Sequence, residues 1–158
     1  MNIREAMATD LDQLAALFDQ YRVFYRKPSD VPAAQKFLSE RIAHQDSKIY
    51  VAETDRSILA GFVQLYPLFS STRMQRLWLL NDLFVNLAYR GQGVSIKLIE
   101  RAKLLVVASS ACAMFLETEK TNLIGNNLYP KTGFKLNEVS NFYEWNNETG
   151  VNDQGAIS

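Results

Sequence analysis

The chain has 158 residues, 47% of them apolar, a size and composition suited to one domain around one core. Lys plus Arg and Asp plus Glu number 17 each, so the formal net charge is zero and neither nucleic acid nor a membrane is expected as a partner. One cysteine, Cys112, excludes a disulfide within the chain, one histidine beside it leaves too few ligands for structural zinc, and no apolar run approaches the roughly 20 residues of a membrane span, so a cytoplasmic protein without metal is expected.

In chain order, residues 3–7 read as a short strand and Thr9 as the N-cap of a helix. Leu11, Leu14, Leu17, Phe18, Tyr21 and Tyr25 then recur at helical spacing. Pro28-Ser29-Asp30 breaks this helix, and a second follows with Pro32 in its first turn. The period then changes: residues 49–52, 58–68 and 77–85 read as strands, the last apolar on both parities and therefore central. Residues 93–108 read as a helix, 112–116 as a strand and 122–131 as a short helix, and residues 134–136 and 142–145 as two closing strands. The expected division is a domain over residues 1–145 and a polar, loosely attached tail over 146–158. Together the elements describe a mixed α/β domain with a mostly antiparallel sheet.

The junction after the central strand carries Arg90-Gly91-Gln92-Gly93-Val94-Ser95 and opens a helix. Small residues there let a ligand approach the backbone, and the first helical turn offers free N–H groups to a phosphate. A tight turn without a ligand is the plainer alternative. A Walker loop is excluded, because Gly93 is followed by Val94 rather than Lys, and the glycine spacing does not fit a dinucleotide fingerprint.

The segment resembles the (Arg/Gln)-x-x-Gly-x-(Gly/Ala) signature of the GCN5-related N-acetyltransferase (GNAT) superfamily, with Ser95 in place of the final small residue. A second stretch is similar to another signature of that family: Asn122, Gly125, Leu128, Tyr129, Gly133 and Phe134 fall in register. The resemblance implies a single α+β domain with about six to seven strands, about four helices and a splayed strand pair that holds acyl-CoA. It implies that the backbone near Leu83, Phe84 and Val85 binds the pantetheine arm, that residues 90–95 bind the pyrophosphate, and that Asn122 contacts the arm.

Acyl transfer from a thioester to an amine needs a neutral nucleophile, a proton for the departing thiolate and close placement of both reactants. By resemblance, Tyr129 is the general acid, since a phenol with a pKa of about 10 is protonated at neutral pH. Packing of the short helix is its plainer role. Asp82 is the candidate base and acceptor contact, with Glu117 as a second candidate. Adjacent strand residues face opposite sides, so only one of Asn81 and Asp82 can face the cleft. Tyr21, Tyr25 and Tyr66 are expected to line the acceptor pocket, although aromatics there can equally extend the core.

The leading expectation is an N-acetyltransferase that moves the acetyl group of acetyl-CoA to a small primary amine: a polyamine, an amino acid or an aminoglycoside-like compound. A protein-lysine or N-terminal acetyltransferase, and an acyl-CoA sensor without turnover, are the alternatives. Dimers are common among similar proteins, which admits a homodimer.

Overall fold

The computed structural model describes residues 1–149. Strand β1 (Asn2–Glu5) leads through a 3-10 turn (Ala8–Asp10) into helix α1 (Leu11–Phe24). The chain enters α1 through Asp10 rather than Thr9: the Asp10 carboxylate accepts from the Met7 N–H at 2.7 Å and from Arg4 at 2.7 and 2.8 Å. Helix α2 (Val31–His44) starts as its sequence suggests, with Asp30 accepting from the Ala33 N–H at 3.0 Å and Pro32 in the first turn. Strands β2 (Lys48–Glu53), β3 (Leu59–Ser70) and β4 (Gln75–Val85) follow, then helix α3 (Val94–Ala108), strand β5 (Ala113–Phe115) and helix α4 (Leu123–Lys131).

The sheet order is β1-β2-β3-β4-β5, with β4 and β5 parallel and every other pair antiparallel. Each face buries its own apolar cluster. Val63, Leu65, Trp78 and Leu80 pack on Leu98 and Ile99 of α3. Val51, Phe62 and Phe84 pack on Leu14 of α1 and Leu38 of α2. The helical stripe read from the sequence thus covers one face, and the glycine-led helix covers the other.

The described residues contain five strands rather than the six to seven expected. Residues 134–136 and 142–145 form no ladder, and Leu136, Phe142, Tyr143 and Trp145 are 84%, 75%, 92% and 84% exposed. Their composition favours strand, but a strand exists only against a partner, and the neighbouring edge, β5, is three residues long. Of the expected tail, residues 146–149 carry no helix or strand, and residues 150–158 lie outside the described residues.

Candidate active site

The site grows from the way β4 and β5 separate. Their ladder joins Leu77–Leu79 to Ala113–Phe115 and stops there. From Leu80 onward the outer edge of β4 has no strand partner among the described residues, and two cavities fill the opening wedge.

The first cavity, about 190 Å³, runs from Leu83, Phe84 and Val85 to the glycine turn and the start of α3, with α4 as its far wall. Gly91 and Gly93 have φ of +73° and +74°, the left-handed region that side chains disfavour. A Cβ at either position would meet nothing within 4 Å, so the turn presents bare backbone to open space. Gly93 caps α3 without any side-chain hydrogen bond, so the first N–H groups of the helix have no side-chain cap, and Val94 and Ser95 line this cavity.

Arg90 lines the same cavity but folds inward. Its Nε donates to the Val85 carbonyl at 3.0 Å and its guanidinium lies 5.6 Å from the Phe84 ring centre. Gln92, expected here, does not line it; its amide reaches the Ala88 carbonyl at 3.5 Å.

Helix α4 is fixed by Asn122, whose Oδ1 accepts from the Gly125 N–H at 3.1 Å and whose Nδ2 donates to Thr118 at 2.9 Å. Asn122 is therefore an N-cap and a cavity residue at once. Gly125 is small because a Cβ there would stand 2.6 Å from Asn122 Nδ2 and 3.1 Å from the Tyr129 ring. The result is a Tyr129 ring packed edge-on against Phe134 at 5.9 Å, with a hydroxyl that makes no hydrogen bond to the described residues. Burial, with Tyr25 nearby, pushes this phenol up to about 12, so it is firmly protonated at neutral pH.

The second cavity, about 240 Å³, lies between Leu79, Leu80 and Asn81 of β4 and Glu117, Thr118 and Glu119 after β5. Tyr21 and Tyr25 of the α1 end close it. Tyr25, Leu83 and Tyr129 belong to both cavities, so the two meet there.

Asp82 does not line either cavity and is 3% exposed. The cause is a β-bulge. Gln64 pairs with Asp82 and Leu65 with Leu80, which leaves Asn81 as the extra residue. The bulge inverts the alternation, so Leu80 faces α3 while Phe84, with Asp82 between them in the strand, faces α1. Asp82 receives Gln64 Nε2 at 2.6 Å and Asn81 Nδ2 at 2.9 Å, and the Tyr21 hydroxyl lies near enough to favour its charged form. Burial raises its pKa, opposed by these hydrogen bonds. Tyr21 also reaches the Asn81 carbonyl at 3.3 Å, and burial followed by the Asp82 charge raises its phenol.

Tyr66 stands outside both cavities, with burial, then Asp82, raising its phenol. Residues 118 and 119 of the second cavity and Tyr89 and Ile124 of the first escaped the sequence reading. The acidic run Glu117-Thr118-Glu119 was the available signal for the former.

The Acetyltransferase (GNAT) domain model matches residues 45–136. YhfO of Bacillus subtilis strain 168, an uncharacterized N-acetyltransferase, is 41% identical over 135 residues, 85% of this chain and 90% of its own. The streptothricin acetyltransferase of Escherichia coli is 30% identical over 111 residues, 70% of this chain and 60% of its own. A crystal structure of a probable acetyltransferase superposes with a TM-score of 0.88 at 36% identity, covering 92% of this chain and 97% of the other.

Proposed function

The chain belongs to the GNAT acetyltransferase family, and on that premise we propose that it transfers the acetyl group of acetyl-CoA to the primary amine of a small molecule by direct attack. One observation carries this reading: the two cavities meet at Tyr25, Leu83 and Tyr129, which is where two reactants would have to touch. The relative named streptothricin acetyltransferase supports a small-molecule acceptor.

The residues of the first cavity fit acetyl-CoA. Bare backbone at Gly91 and Gly93 and the free N–H groups at the start of α3 suit its pyrophosphate, and the unpaired edge of β4 suits the amides of its arm. Bound there, acetyl-CoA supplies an activated acyl thioester. The Val85 carbonyl accepts from Arg90 and keeps a second lone pair for an amide of the arm.

Tyr129 holds a proton at its Oη for the departing sulfur. Asp82 is the base, acting through Tyr21: the Tyr21 hydroxyl turns its proton from the Asn81 carbonyl to the neighbouring Asp82 carboxylate as it takes a proton from the amine side. Gln64 and Asn81 hold that carboxylate in place, and Ser47 donates to Gln64 Oε1 at 2.9 Å.

Calorimetry with acetyl-CoA, followed by thiol release with a panel of primary amines, tests the proposal. Acetyl-CoA binding and amine-dependent thiol release are expected. Binding with no release for any amine would make the protein a sensor.

A further inference from the structure

The acceptor cavity carries charge of one sign. Glu117 and Glu119 are in its wall, and among the described residues no lysine or arginine lines it. Glu117 makes no hydrogen bond or ion pair with the described residues. Glu119 is held from outside the cavity, with Arg26 Nη2 at 2.6 Å from its Oε1. The Arg26 guanidinium keeps that carboxyl below the usual carboxylate range.

Arg26 follows α1 with a φ of +64°, and its side chain is 72% exposed against 33% for Glu119. An ion pair this open to water is weak and readily exchanged. A cation inside the cavity would also stand among the rings of Tyr21, Tyr25 and Tyr129, which line it. A carboxylate in the same place would meet Glu117, which has no cation beside it among the described residues, and a Glu119 whose cation stands outside the cavity. The cavity defines the site here, and the two carboxylates set what it takes.

We propose that the acceptor carries at least two amines: one delivered neutral to the junction at Leu83 and Tyr129, and a second, protonated, that binds Glu119 in place of Arg26. This rests on reading the cavity as the acyl-acceptor site. Glu119 is then a specificity residue, Glu117 adds to the attraction, and Arg26 is a competing cation supplied by the chain itself.

The test uses the full chain with acetyl-CoA and three amines of matched length: 1,5-diaminopentane, 1-aminohexane and 5-aminopentanoate. The diamine is expected to exceed aminohexane in kcat/KM by about tenfold, with aminopentanoate lowest, as one added charge contact predicts. Glu119→Gln should collapse the ratio of diamine to aminohexane, and Arg26→Gln should raise it. A merely structural ion pair would move the ratio the same way in both variants, and that result overturns the proposal.

Diamine binding to the CoA-loaded protein is followed by calorimetry alongside. Glu119-dependent binding without turnover would support the dication site and overturn acetyl transfer. Turnover of aminohexane with no preference for the diamine would do the reverse. Neither binding nor turnover of the diamine would overturn the site.

Discussion

The hydroxyl of Tyr21, in the wall of the second cavity, reaches the Asn81 carbonyl at 3.3 Å and lies beside the carboxyl of Asp82, which lines no cavity itself. Tyr21→Phe removes that hydroxyl and leaves the ring's edge contacts with Phe62 and Phe84, at 6.1 and 6.4 Å, in place. We expect kcat to fall by about a hundredfold, the usual scale of a lost proton-transfer group. Thiol-release kinetics measure it, and an unchanged kcat would route the proton elsewhere.

Asp82→Asn should abolish the acid limb of the kcat/KM profile, which in the wild type should lie above the ordinary aspartate range because burial raises this pKa. Linkage gives a second, independent readout. A folded pKa above the unfolded value means that the native state binds more protons between the two. Stability therefore declines as pH rises from the ordinary value through the raised one. Urea denaturation across that window should show a flatter slope in the variant than in the wild type.

Tyr129→Phe keeps the packing on Phe134 and loses only the unpartnered hydroxyl. The expected result is a drop in kcat of about a hundredfold with acetyl-CoA affinity nearly unchanged. Single-turnover kinetics beside calorimetry separate the two quantities, and parallel losses in both would make Tyr129 a binding residue.

Gly93→Val puts a branched side chain at a φ of +74°, at a strain cost of about 1–2 kcal/mol, and points it into the space where bare backbone now faces the first cavity. Acetyl-CoA affinity should weaken by tenfold or more, on the order of one lost phosphate contact. A thermal melt monitors the fold. Full affinity in a folded variant would remove the glycine turn from the cofactor site.

Arg4 joins β1 to the start of α1 through Asp10, and joins β1 to β2 through Glu53 at 3.0 Å. Hydrogen bonds from Arg4 depress the pKa of both carboxyls. Carboxylates with depressed folded pKa contribute stability above their unfolded values, and that contribution disappears as pH falls through the folded ones. Arg4→Met should cost on the order of 2 kcal/mol at neutral pH and much less at pH near 2, because the buried Asp10 loses its partner only while it is charged. Denaturant midpoints at the two pH values check this; an equal loss at both would mean packing rather than charge.

Much of the fold was legible because its signals are short-range. The α1 stripe, Asp30 and Pro32 at the start of α2, and Asn122 at the start of α4 each act within a few residues of themselves. The absence of the two expected closing strands was not legible, since residues 134–136 and 142–145 have the composition of strands but a ladder requires a distant partner. Thr9 does not cap α1: the N-cap position falls at Asp10, whose carboxylate makes no capping hydrogen bond and is held instead by Arg4 of β1 and the Met7 N–H.

The sequence alone pointed to the turn that opens α3. Two glycines and the helix start that follows them are properties of the local chain. Only the tertiary structure decided the second cavity. Whether Asn81 or Asp82 turns toward the cleft depends on where β4 bulges against Gln64 of β3, and the cavity wall that Glu119 shares with Tyr21 depends on how far β5 parts from β4. Register and splay are set by contacts between residues far apart in the chain, which no local pattern encodes.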